Sequence, residues 1–82
     1  MNALIVDDEP LARARLKRLL SQSHTSIQVQ GEAGNGNEAL IKIKKLQPDL
    51  VFLDVDMPGL NGIEVANQLN SFAVPPAIIF IT

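Results

Sequence analysis

The sequence contains no cysteine, so neither a disulfide framework nor a thiolate metal site can be built from it, which fits a reducing compartment. Its longest apolar runs, such as Ile78 to Ile81, fall far short of the roughly 20 residues a membrane span needs, so no membrane association is expected. Met1-Asn2-Ala3 leads straight into an apolar strand without the basic segment or cleavage site of a secretory signal. A cytoplasmic location is expected. An excess of positive charge is missing too: 7 basic residues face 9 acidic ones, and a formal charge of −2 does not favour nucleic-acid binding by this segment. Histidine occurs once, at His24 in a polar stretch, where a surface role is expected and no spacing makes it a phosphodonor.

What is present is the composition of a small globular domain, with 82 residues of which 46% are hydrophobic and 20% charged. A chain of this size buries only roughly 60% of the surface its unfolded form exposes, so marginal stability is expected. The charges are unevenly placed. All basic residues fall in two stretches, Arg13 to Arg18 and Lys42 to Lys45, which read as solvated helix faces. The acids concentrate in Asp7-Asp8-Glu9 and in Asp54 with Asp56.

Leu4-Ile5-Val6 is an apolar run that stops abruptly at acids, as expected of a strand buried on both faces. Ala12, Leu16, Leu19 and Leu20 then recur at helical spacing, with Pro10 suited to the first turn and Asp8 and Glu9 to the positive end of the helix dipole. Ile27, Val29 and Gly31 alternate with polar residues, which predicts a second strand near a sheet edge. Gly34-Asn35-Gly36-Asn37 signals a turn, and Asn37 is the expected cap of a helix with an Ala39, Leu40, Ile43 and Leu46 stripe, ending before Pro48. Gly31, Gly34 and Gly36 do not have the spacing of a dinucleotide loop. Leu50 to Leu53 repeats the design of the first strand and terminates in Asp54. After the breaker-rich loop Met57 to Gly62, in which Asn61-Gly62 reads first as a turn device, Ile63, Ala66 and Leu69 predict a third helix ending near Ser71. Pro75-Pro76 leads into a fourth strand, Ala77 to Ile81, followed by Thr82.

The order βαβαβαβ with right-handed crossovers predicts a doubly wound α/β fold, a parallel sheet with helices on both faces. Every strand's carboxyl end then lies on one edge, where open α/β sheets bind ligands, and Asp7, Asp8, Asp54, Asp56 and Thr82 are delivered there. If the first and third strands are neighbours, Asp8 and Asp54 end about 5 Å apart, with Asp7 close behind. Such anions need compensation, or at least one becomes protonated. Oxygen-only ligands without histidine or cysteine favour magnesium or manganese over zinc, and magnesium completes its shell with water and a phosphoryl oxygen. A carboxylate can also be the nucleophile in phosphoryl transfer, and Asp54, which closes the central apolar strand, is the better candidate.

Ile5 to Pro10 and Pro48 to Gly62 resemble the response-regulator receiver (CheY-like, flavodoxin-like) domain of two-component signalling, over all 82 residues. The resemblance implies that Asp54 accepts phosphate from a histidine kinase, that Asp8 and Asp54 bind Mg2+ directly, that Asp7 assists through water and that the backbone carbonyl of Asp56 is a further ligand. It also implies a switch role for Thr82 in coupling the phosphoryl group to surface change. Asp7 to Arg13 is similar to receivers fused to LytTR-type DNA-binding domains, which implies transcription regulation. Family receivers continue with a fifth strand, two further helices and a lysine that pairs with the phosphate. These residues correspond to a partial (βα)3β, and residues 1–82 read as an amino-terminal receiver fragment.

Two alternatives accompany this reading. An interaction module that has lost phosphorylation would self-associate through the exposed sheet edge. Asp54-Val55-Asp56 also resembles the nucleophile motif of haloacid-dehalogenase-type phosphatases, although those place their further acids on later strands, whereas here they come earlier.

Overall fold

The structure is a computed structural model and describes residues 1–23 and 26–81. The expected alternation is present: β1 (Asn2–Val6), α1 (Pro10–Gln22), β2 (Gln28–Ala33), α2 (Gly36–Leu46), β3 (Leu50–Asp54), α3 (Gly62–Leu69) and β4 (Ala77–Ile81). All strand pairs are parallel, and the sheet order is β2-β1-β3-β4. The alternating strand at Gln28–Ala33 is an edge strand, as its half-polar pattern predicts. The two continuous apolar runs take the centre, where every residue of β3 is buried, the terminal Asp54 included.

Strand alternation divides the core between the two faces of the sheet. Leu4, Val6, Val51 and Leu53 meet Ala39 and Ile43 of α2 and Val65 and Leu69 of α3 on one face. Ala3, Ile5, Leu50 and Phe52 meet Leu16 and Leu20 of α1 on the other. The second face is less well covered: α1 contributes no fully buried residue, and Leu19, expected on its apolar stripe, is 57% exposed. β4 lies outermost, with Ile79 and Phe80 45% and 47% exposed.

Helix starts differ from expectation in instructive ways. α2 is capped by Asn35 rather than Asn37, the Asn35 side chain accepting from the Glu38 N–H at 2.8 Å. Gly36, which reads as part of a turn, is the first helical residue, and the loop before α3 requires glycine there: a Cβ would lie 2.5 Å from the Leu60 carbonyl oxygen. In α1 Pro10 takes the first turn as expected, whereas Glu9 is the N-cap without a side-chain cap and no acid lies within the first turn. In α3 the buried positions are Gly62, Val65 and Leu69, while Ile63 of the expected stripe is 48% exposed. The cap at Asn61 sets this phase. Its side chain accepts from the Glu64 N–H and the Glu64 carboxylate accepts from the Asn61 N–H, a reciprocal capping box.

Candidate metal and phosphate site

β1 and β3 run side by side in a register that pairs Val6 with Leu53, so the next residues, Asp7 and Asp54, come together at the carboxyl edge of the sheet. One carboxylate oxygen each from Asp7, Asp8 and Asp54 lies within 4.8 Å of the others. Asp7 and Asp54 are 8% and 7% exposed, whereas Asp8 stands on the solvent side. The crossover geometry therefore assembles a group of acids 46 positions apart in sequence (54 − 8).

Each acid is held differently. Asp7 donates its N–H to the Ala33 carbonyl at 3.1 Å, and its Oδ1 accepts from the Glu9 N–H at 2.9 Å. Asp54 Oδ1 accepts from the Asp56 N–H at 3.0 Å. Asp56 thus reaches the site through its main chain, while its side chain is exposed and is not one of the three gathered carboxylates. Behind Asp54 the chain is fixed by the Val55 N–H to the Ile81 carbonyl at 3.3 Å and the Gly62 N–H to the Val55 carbonyl at 3.2 Å. Thr82 and His24 lie outside the described residues.

Burial pushes the Asp54 carboxyl above its ordinary range; the Asp56 N–H opposes this by favouring the anion, and the neighbouring charges of Asp7 and Asp8 raise it further. A site that discourages ionisation of its central carboxylate, and offers only oxygen donors, fits a hard divalent cation of the magnesium type. Asp7, Asp8 and Asp54 are the residues that could hold it. None of the ion pairs among the described residues reaches this group: Arg13 and Lys17 pair with Glu32, and Lys42 with Glu38.

Two contributors escape a reading of the sequence alone. Gly62, which reads as a turn residue, packs against the acceptor strand, where a Cβ would fall 2.2 Å from the Asp54 carbonyl oxygen. Arg13, which reads as part of a solvated face, donates from Nη1 to the Asp7 carbonyl at 2.6 Å and is only 18% exposed in its side chain. Its position one turn into α1 is the available signal, because helical side chains lean back toward the amino-terminal end and so toward the end of β1.

Residues 3–82 match the family model of the response regulator receiver domain. The chain is 54% identical over 82 residues to the positive alginate biosynthesis regulatory protein of Pseudomonas aeruginosa, covering 100% of this chain and 33% of that protein. It is 44% identical over 82 residues to the sensory transduction protein LytT of Bacillus anthracis, again covering 100% of this chain and 33% of the relative, in keeping with the LytTR-type likeness of Asp7 to Arg13. Among solved structures it is similar to the CheX-CheY-BeF3-Mg complex of Borrelia burgdorferi, with TM-score 0.88 and 29% identity over 98% of this chain and 60% of that one. The chain spans about a third of the length of the curated relatives it matches. The matched family is the receiver, and the phosphatase alternative drawn from Asp54-Val55-Asp56 is set aside.

Proposed function

Because the chain belongs to the response regulator receiver family of two-component systems, we propose that Asp54 accepts a phosphoryl group from a histidine kinase in a Mg2+-dependent reaction. The observation that carries this is the convergence of Asp7, Asp8 and Asp54 at the carboxyl edge of the parallel sheet. Asp54 is the nucleophile: it closes the central strand, and with its Oδ1 fixed by the Asp56 N–H its carboxylate is set to take the phosphoryl group as the kinase histidine leaves. Asp8 and Asp54 would hold the cation directly, Asp7 would assist through water, and the Asp56 carbonyl would add a ligand. When bound, Mg2+ supplies charge neutralisation for the transferred phosphoryl oxygens. Thr82, the residue after β4, is the switch residue of this reading. A BeF3-Mg complex of a similar CheY gives the reading its chemical precedent.

The curated relatives are longer regulators, among them the transcriptional regulatory protein BtsR of Salmonella typhi, so we assign this segment the input step of transcription control. A net charge of −2 does not favour nucleic-acid binding by this segment, which leaves that step to the rest of such a regulator. A second partner is another copy of the chain. β4 pairs only β3 among the described residues, both of its faces are half open, and residues 65–82 carry no charged side chain to repel a neighbour.

Acetyl phosphate with Mg2+, followed by intact mass, tests the acceptor. Wild-type protein and Asp56→Asn gain one hydroxylamine-labile phosphoryl group, and Asp54→Asn gains none. Persistent modification of Asp54→Asn would refute the assignment.

A further inference from the structure

We propose that Arg13 is a positioning residue for the acidic site, fixing the peptide plane that joins Asp7 to Asp8. This rests on the Mg2+ site proposed above. The Asp7 carbonyl that accepts from Arg13 Nη1 at 2.6 Å belongs to the same planar unit as the Asp8 N–H, so holding that oxygen sets the direction in which Asp8 leaves the chain. The remaining bonds of Asp7, its N–H to Ala33 and Oδ1 from Glu9, fix the residue on either side of this plane but not the carbonyl itself.

Arg13 can act as a clamp because it is itself clamped. Its Nε donates to Glu32 Oε1 at 3.1 Å, and the second Glu32 oxygen lies 3.5 Å from Lys17 Nζ. The Glu32 carbonyl accepts from Lys42 Nζ, which ties α2 to the same point of β2. A single guanidinium thus spans β1 and β2 from α1, using two donors of its fork in fixed geometry. Lysine, with one ammonium, cannot reproduce both bonds in that geometry.

Charge and position make opposite predictions here. A cation beside a Mg2+ site repels the metal, so if charge alone mattered, Arg13→Gln would tighten binding and Arg13→Lys would leave it unchanged. Positioning predicts weakening in both, because Asp8 is released from its set direction. Outer partners of metal ligands typically contribute roughly 10- to 100-fold in affinity.

The test is isothermal titration of Mg2+ into metal-free wild type, Arg13→Gln and Arg13→Lys at a temperature where circular dichroism shows each folded, with Asp8→Asn as reference. The expected result is about 10-fold weaker binding in Arg13→Gln and an intermediate loss in Arg13→Lys. If Arg13→Gln does not fold, the Arg13→Lys comparison decides alone. Wild-type affinity in the Arg13 variants, or tighter binding in Arg13→Gln, overturns the positioning role while leaving the metal site intact. Failure of wild type itself to bind Mg2+ overturns the site, and the role of Arg13 with it.

Discussion

The carboxyl of Asp54 is buried beside two other acids, and its proton affinity is raised accordingly. A folded-state value above the unfolded one means that this group's contribution to stability is fully present below the ordinary carboxyl range and is lost as pH rises through the raised value. In chelator-containing buffer, Asp54→Asn is therefore expected to be more stable than wild type at neutral pH, with the difference shrinking as the solution is acidified. Urea midpoints measured across that range check this, and a difference independent of pH would count against it. Mg2+ should narrow the gap at neutral pH, since it favours the ionised wild-type carboxylate. The acids themselves are legible in the sequence because Asp7 and Asp54 each end an apolar run. Arg13 and Gly62 are not, because their roles depend on approach to main-chain atoms 6 and 8 positions away, which no local pattern encodes (13 − 7; 62 − 54).

Helix entry is the feature of the elements that bears most directly on the site. α3 begins immediately behind Asp54, and its phase is set by the reciprocal bonds of Asn61 and Glu64. Asn61→Ala removes an accepting oxygen from the Glu64 N–H and is expected to cost about 1 kcal/mol in chemical denaturation. Glu9→Ala at the N-cap of α1, where no side-chain cap exists, should change stability much less. Equal losses would mean that the capping box contributes nothing beyond helix propensity. All elements and their order are readable from the change between alternating, continuous and helical hydrophobic patterns. Their starts are less so: two asparagines at positions 35 and 37 offer the same capping chemistry, and in the fold it is Asn35 that accepts from the Glu38 N–H. Likewise Ile63 and Val65 both suit an apolar stripe, and the cap chooses Val65.

At the scale of the molecule, the parallel order β2-β1-β3-β4 places β1 and β3 together and so creates the site, while leaving β4 outermost. Ile79 and Phe80 of this apolar strand are about half exposed on opposite faces, at the open sheet edge that the sequence leads one to expect. Sequence periodicity describes what a strand can bury, not what covers it. Self-association through β4 should appear in sedimentation velocity at tens of micromolar and be abolished by Ile79→Lys, which adds a charge to an edge that has none. A wild-type sample that sediments as a monomer at those concentrations would remove this partner.

The central claim is that crossover geometry brings acids from β1 and β3 to one hard cation. Its most direct measurement is a Mg2+ titration followed by the backbone and carboxyl NMR signals of the folded chain. Saturable shifts at Asp7, Asp8 and Asp54, absent from Asp49 at the other end of β3, are predicted; signals of all three unchanged at saturating Mg2+ would contradict the account.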